Sequence, residues 1–135
     1  MKRMHKGSCH CGAVRFECEL DLADGTSKCN CSICGKSRFW KAIVPADKFR
    51  LLQGADRLAD YQFGNNVIHH QFCKICGVKP FGRGAFEPIG AFYAVNVMCL
   101  DDVSDTELAE TPVAVEDGRN NRWGPGSAPA IISHL

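Results

Sequence analysis

The chain has 135 residues, 45% hydrophobic and 23% charged, with a formal net charge of +1. That length fits one domain, residues 1–135, with a modest core. The near-neutral balance excludes the strong positive field that a nucleic-acid binder or an acidic membrane surface calls for. The basic start Met1–Lys6 runs into Gly7-Ser8-Cys9 without an apolar stretch, and no run approaches the length of a membrane span. With an odd number of cysteines, nine in all, a reducing cytoplasm is the expected compartment.

Taken in order, residues 13–20 alternate, with Val14, Phe16, Cys18 and Leu20 on one face and Arg15, Glu17 and Glu19 on the other. That pattern predicts a half-buried strand. Asp24-Gly25 marks a turn. Phe39 to Val44 reads as a strand that stops at Pro45. Asn65-Asn66 reads as a hairpin turn between strands at Leu58–Phe63 and Val67–Phe72. Ala91 to Cys99 alternates again. Asp101 to Glu110 is polar, and Ser104 with Glu107 three residues on predicts a single capped helical turn. Gly124-Pro125-Gly126 and Pro129 forbid regular structure near the C-terminus. Short strands punctuated by Gly and Pro predict a mainly β, antiparallel domain with little helix.

Seven cysteines fall in three tight groups: Cys9-His10-Cys11, Cys29-Asn30-Cys31-Ser32-Ile33-Cys34 and Cys73-Lys74-Ile75-Cys76. Two sulfurs on one tetrahedral zinc lie roughly 3.8 Å apart, given Zn–S of about 2.3 Å. Cys-x-Cys on a strand is spaced by about 6.6 Å along the chain, so it converges only where the backbone bends. Gly7 and Gly12 supply that freedom. Cys73-x-x-Cys76-Gly77 is the stronger signal, a knuckle with the glycine that lets backbone N–H groups face sulfur. A thioredoxin-like redox pair would need a βαβ setting that the chain lacks. Four thiols close one zinc site, and three leave a second zinc with a vacant position. Spacing alone leaves the grouping open, because Cys31-x-x-Cys34 with Cys73-x-x-Cys76 would also make a zinc ribbon.

Gly7-Ser8-Cys9-His10-Cys11-Gly12-Ala13-Val14-Arg15-Phe16 resembles the opening motif of the glutathione-dependent formaldehyde-activating enzyme family, which includes centromere protein V. The central group Cys29–Cys34, then Phe72-Cys73-Lys74-Ile75-Cys76-Gly77 and Asp117-Gly118-Arg119-Asn120, are similar to its later motifs in order and placement. The resemblance implies a β-tent, small sheets gathered round a structural zinc on Cys9, Cys11, Cys73 and Cys76. It implies a catalytic zinc on Cys29, Cys31 and Cys34, two Zn²⁺ per chain in all. The implied activity is that of a carbon–sulfur lyase, which joins glutathione to formaldehyde or a related small carbonyl as the S-hydroxymethyl adduct and reverses the step. Centromere protein V carries a different implication, a non-catalytic zinc-stabilised β module that binds a protein or chromatin-associated partner.

Three thiolates on Zn²⁺ carry net charge −1 and weaken the acidification of bound water. Such a zinc suits carbonyl polarisation or thiolate exchange better than hydroxide generation. Glutathione has two carboxylates, for which Arg is the bidentate partner. Arg38 and Arg119 are the leading candidates, followed by Arg83 and Arg122. Trp40 is a pocket wall or a core residue. His10 should face away from the metal. Only one of His69 and His70 can face inward. Cys18 and Cys99 read as small apolar core residues, with a secondary reading as a fourth ligand of the second zinc. Gly35 stands after Cys34 where the family often has a basic residue, and Lys36 comes next.

Overall fold

The computed structural model describes residues 1–123 and 134–135, so Gly124-Pro125-Gly126 and Pro129 lie outside the described residues. The strands are β1 (Arg3–Ser8), β2 (Arg15–Leu20), β3 (Thr26–Cys29), β4 (Trp40–Pro45), β5 (Phe49–Gln53), β6 (Leu58–Tyr61), β7 (His69–Cys73), β8 (Phe81–Phe86), β9 (Gly90–Asn96) and β10 (Val113–Glu116). Two short helices join them, α1 (Ser32–Ser37) and α2 (Asp105–Glu110). A three-stranded sheet has the order β1-β2-β5, and a seven-stranded sheet the order β10-β3-β4-β9-β8-β7-β6. The mainly β architecture is the one expected. Among the described residues, no helix is long and apolar enough to cross a membrane.

β2 shows why alternation works as a signal. Phe16, Cys18 and Leu20 are buried while Arg15 is exposed, because one face packs and the other meets water. Phe16 and Phe49 from the small sheet meet Phe81 and Tyr93 from the large one. Phe16 stacks on Phe49 at 5.3 Å, Phe49 stacks on Tyr93 at 3.8 Å, and Phe81 meets Phe16 edge-on at 5.8 Å. Four aromatic side chains thus join the two sheets, and each buries a large apolar area.

The hairpin at Asn65-Asn66 is present, with Gly64 and Asn66 both at positive φ, although its strands are shorter than expected, β6 ending at Tyr61 and β7 beginning at His69. β9 ends at Asn96, whose side chain accepts from Met98 N–H and starts a 3-10 turn over Val97–Cys99. α2 carries the full capping box: Glu107 N–H donates to Ser104 Oγ at 3.1 Å, and Ser104 N–H to Glu107 Oε1 at 3.4 Å.

One strand pair departs from the antiparallel expectation. β10 lies parallel to β3, with Glu116 opposite Cys29. That register returns the chain to the central cysteine group 87 residues later and sets Asp117 against Asn30. α1 was not expected. It holds six residues, contains Gly35, buries none of its side chains fully and stops at Arg38, which takes the left-handed conformation at φ 55°.

Candidate functional site

The first cysteine cluster is built from both sheets. Cys9 and Cys11 sit in the β1–β2 connection, Cys73 ends β7, and Cys76 lies in the β7–β8 connection. Their four sulfurs lie within 4.8 Å of one another. Cys9 Sγ to Cys11 Sγ and Cys11 Sγ to Cys73 Sγ are both 3.7 Å. That separation matches an edge of a thiolate tetrahedron, about 3.8 Å, and is far beyond a disulfide bond of about 2.05 Å. Gly12 and Gly77 turn the chain at φ 81° and 78°. Backbone donors then face sulfur, Val14 N–H to Cys9 Sγ at 3.3 Å and Ile75 N–H to Cys73 Sγ at 3.4 Å. Burial opposes ionisation of Cys76, but N–H donors and neighbouring thiols bring its pKa down to about 6. The Cys76 and Ile75 N–H groups hold Cys73 low as well, against burial. Two thiols already biased toward thiolate fit a metal, which takes the thiolate form. The ribbon alternative, Cys31 and Cys34 with Cys73 and Cys76, is not what the chain forms.

The central group is local. Cys29 ends β3, Cys31 precedes the first turn of α1, and Cys34 lies within it. Cys31 is the middle member in sequence and in charge: the thiols of both Cys29 and Cys34 act on its sulfur. Its own N–H donates to Cys29 Sγ at 3.4 Å. Among the described residues, only the first cluster has three or more ligand atoms all within 4.8 Å of one another. The Cys29 and Cys34 thiols, then the N–H groups of Cys34 and Ile33, pull Cys31 far below the ordinary thiol range. Cys29 and Cys34 are pushed up, first by the Cys31 sulfur and then by burial. Two soft sulfur donors flank one that ionises readily, and thiolate donors of this kind suit zinc.

The late Asp-Gly-Arg-Asn motif clamps this group. Asn30 is buried and donates from Nδ2 to Asp117 Oδ1 at 2.8 Å, while its Oδ1 accepts from Arg119 N–H at 3.0 Å. Asn120 Nδ2 donates to both Asp117 oxygens, at 3.1 and 3.0 Å. The Asn120 side chain first, and Asn30 next, hold the Asp117 carboxyl below its usual range. Gly118 packs against the site so closely that a Cβ there would lie 2.6 Å from Cys29 Sγ and 2.5 Å from the Trp123 ring. Only glycine fits.

A cavity of about 650 Å³ opens beside Cys31, lined also by Ser32, Gly35, Lys36, Arg38, Gly118 and Arg119, with His134 and Leu135 at its edge. Its size suits a small-molecule site. Arg38 and Arg119 therefore share the cavity with Cys31, and the Arg38 guanidinium donates to the His134 carbonyl. Arg83, on β8 opposite His69 and Tyr93, and Arg122 do not line it. Trp40 belongs to the core, its Nε1 donating to Thr26 Oγ1 at 2.7 Å. His10 is exposed, and His70 is buried while His69 pairs with Asp60 at 2.7 Å. Cys18 and Cys99 are buried, and burial pushes each thiol up to about 12. Cys99 Sγ faces the Lys79 carbonyl at 4.0 Å, and Cys18 lies opposite Phe49 in the small sheet.

Sequence reasoning missed Lys79. Its ammonium lies 4.1 Å from the centre of the Phe39 ring and donates to His70 Nδ1 at 2.9 Å. Burial lowers its pKa, while the charges of Cys34 and Cys31 act the other way. In Val78-Lys79-Pro80 it reads as an ordinary loop charge, so no sequence signal marks it.

Fold and cluster together define a small β protein whose sheets meet at four cysteines able to hold a metal ion. The chain belongs to the glutathione-dependent formaldehyde-activating enzyme family, whose sequence model matches residues 4–115. Membership implies an enzyme role around glutathione and formaldehyde, with those two small molecules as partners. The crystal structure of a Rhodobacter sphaeroides protein is similar at 36% identity and a TM-score of 0.69, over 81% of this chain and 99% of that one. Asp117 to Asn120 fall just beyond the matched span, and their contacts with Asn30 tie them to the site.

Proposed function

We propose that the protein is a zinc-dependent carbon–sulfur lyase of the S-(hydroxymethyl)glutathione synthase type, acting in the cytoplasm. The observation that carries this reading is the cavity of about 650 Å³ that places Arg38 and Arg119 beside Cys31. Cys9, Cys11, Cys73 and Cys76 would hold a structural zinc, and Cys29, Cys31 and Cys34 a catalytic one. Bound there, zinc would supply carbonyl polarisation or exchange of a thiolate ligand.

The chain's own residues do the rest. Arg38 and Arg119 take the two glutathione carboxylates, each guanidinium offering a planar pair of donors. That anchoring turns the glutathione thiol toward Cys31. Holding thiol and carbonyl in one cavity removes much of the entropic cost of their encounter. The thiol sulfur attacks the carbonyl carbon, the C–S bond forms, and the π electrons move to oxygen. The thiol proton is lost and the oxygen gains one, so S–H and C=O become S–CH₂–OH. The reverse path cleaves the C–S bond. The clamp from Asn30 to Asp117 and Arg119 keeps the cysteine segment and the anion-binding segment in register.

The test is zinc stoichiometry with X-ray absorption, with and without glutathione, on wild type and Cys31→Ser. The expected result is two zincs in wild type, with the coordination of one changing on adding glutathione. Cys31→Ser should stay folded, lose one zinc and lose turnover, by about 10³-fold or more if the reaction runs through that set. Two zincs that ignore glutathione would leave a non-catalytic metal module and sink the lyase reading, as would Cys31→Ser at full rate with one zinc lost.

A further inference from the structure

One short segment runs from the first cysteine group to the surroundings of the second. Cys73 N–H donates to Val78 O at 2.9 Å, which closes the knuckle of the first cluster. The next residue is Lys79. Its carbonyl stays on the first side: it accepts from Asn96 Nδ2 at 2.9 Å and faces Cys99 Sγ at 4.0 Å, next to Cys9 and Cys76. Its side chain runs the other way. It passes Gly82, where a Cβ would lie 3.7 Å from Lys79 Cε, and ends over the Phe39 ring. Phe39 is buried in a small cluster with Phe92 and Ala94, and Cys34 packs against that same cluster. The Lys79 ammonium and the Cys34 sulfur thus share one apolar patch.

A largely buried ammonium calls for a partner. The structure gives it one neutral acceptor, His70 Nδ1, and the face of Phe39. The Lys41 charge opposes that of Lys79, but its Nζ is already paired to Glu116 at 2.7 Å. Negative charge within reach comes from Cys34 and Cys31. Three thiolates on a dipositive metal leave one net negative charge in a partly dry site. One fixed cation would neutralise it.

The geometry points to Lys79 as the positioning cation of the second cysteine set, a charge that stabilises a metal on Cys29, Cys31 and Cys34 without touching it, held in place by the first cluster's knuckle. This rests on the reading of those three cysteines as a metal set. It also makes the first cluster a support for the second: the loop closed by Cys73 and Cys76 is the loop that aims Lys79.

Lys79→Met keeps the apolar stem over Phe39 and removes the charge. Lys79→Arg keeps the charge. Purified wild type and both variants are loaded with zinc, and each metal's affinity is measured by competition with a chromophoric chelator. In Lys79→Met the weaker metal should bind about 10–100-fold less tightly, the usual effect of losing an outer-shell partner. Lys79→Arg should stay within about threefold of wild type, because the charge survives. The tighter metal, on the first cluster, should be unchanged in both and reports that the variants are folded. Two metals with unchanged affinities in Lys79→Met would overturn the inference alone. Equal weakening in both variants would overturn it as well, since shape and not charge would then matter. A wild-type chain that takes up one metal would fail earlier, at the second set itself, and both readings would fall together.

Discussion

The two cysteine groups use the same ligand chemistry for opposite structural ends. Cys9 and Cys11 reach Cys73 and Cys76 across more than sixty residues and from different sheets. Cys29, Cys31 and Cys34 lie on six consecutive residues, so a metal shared among them closes no long loop. The first group has two members fully buried and N–H donors on its sulfurs. The second borders a cavity and two guanidinium groups. A metal on non-local ligands contributes folding energy, since its binding closes long loops. A metal on local ligands constrains little chain, so its stabilisation is small. Sequence separation between ligands, more than ligand type, sets how much of the fold a metal site can hold.

The largest effect should come from removing one ligand of the first cluster. Cys73→Ala deletes a fully buried sulfur that anchors both the cluster and the end of β7. Structural zinc contributes on the order of 10 kcal/mol in small domains, a magnitude comparable to the whole stability of a domain. The variant should lose cooperative unfolding in urea and its near-ultraviolet dichroism. A Cys73→Ala protein with a wild-type urea midpoint would remove the structural role from the first group.

Asn30→Ala attacks the second region without removing a sulfur. It leaves Asp117, a buried carboxylate, with Asn120 alone, and leaves Arg119 N–H without its acceptor. Hydrogen bonds to charged groups are each worth about 1.5–3 kcal/mol, so a loss of about 2–3 kcal/mol in urea stability is expected. Metal on the first cluster should be retained. Equal loss of both metals would show that the two regions unfold as one.

His70 sits between the regions, on the strand that delivers Cys73 and against Lys79. Burial first, and the Lys79 charge next, lower its pKa from 6.5 to about 4. Below pH 6.5 the unfolded chain takes up a proton that the folded imidazole refuses, so stability falls as pH drops toward 4 and is intact above 6.5. Allowing for screening, the loss is about 2 kcal/mol. His70→Asn should flatten this decline relative to wild type, read as the difference in urea midpoint between pH 7 and pH 4.5. Parallel pH courses for the two proteins would remove His70 from the account.

The part of the architecture written locally was readable. β2 has one wet face, so its alternation shows, and the Ser104–Glu107 box is a four-residue signal. α1 was hidden because six residues with Gly35 and no apolar stripe show no period. β8 was hidden for a similar reason, since Gly82 and Gly84 break its pattern. For the site, spacing marked all seven cysteines but left the ribbon pairing open, because the grouping depends on which loops the sheets bring together. The Asp117 motif was visible as residues, but its contact with Asn30 follows from the parallel β3–β10 register, which no local pattern encodes. Lys79 was invisible for the same reason: its surroundings come from β7, β8 and the segment before β4.

Arg119→Lys gives the smallest expected effect and the finest test of the second region. Arg119 has its backbone fixed by Asn30 and its side chain in the cavity, so clamp and contact can be separated. Lysine keeps the backbone N–H and the positive charge but loses the planar fork that matches a carboxylate. The fold, both metals and the Asn30 bond should survive. If Arg119 takes a glutathione carboxylate at some distance from the reacting sulfur, its loss weakens ground state and transition state alike. KM for glutathione should then rise about tenfold, about 1.4 kcal/mol, with kcat nearly unchanged. A fall in kcat at constant KM would place Arg119 at the reacting atoms. Unchanged kinetics would leave its guanidinium a cavity-wall charge and move the carboxylate contact to Arg38 or Lys36.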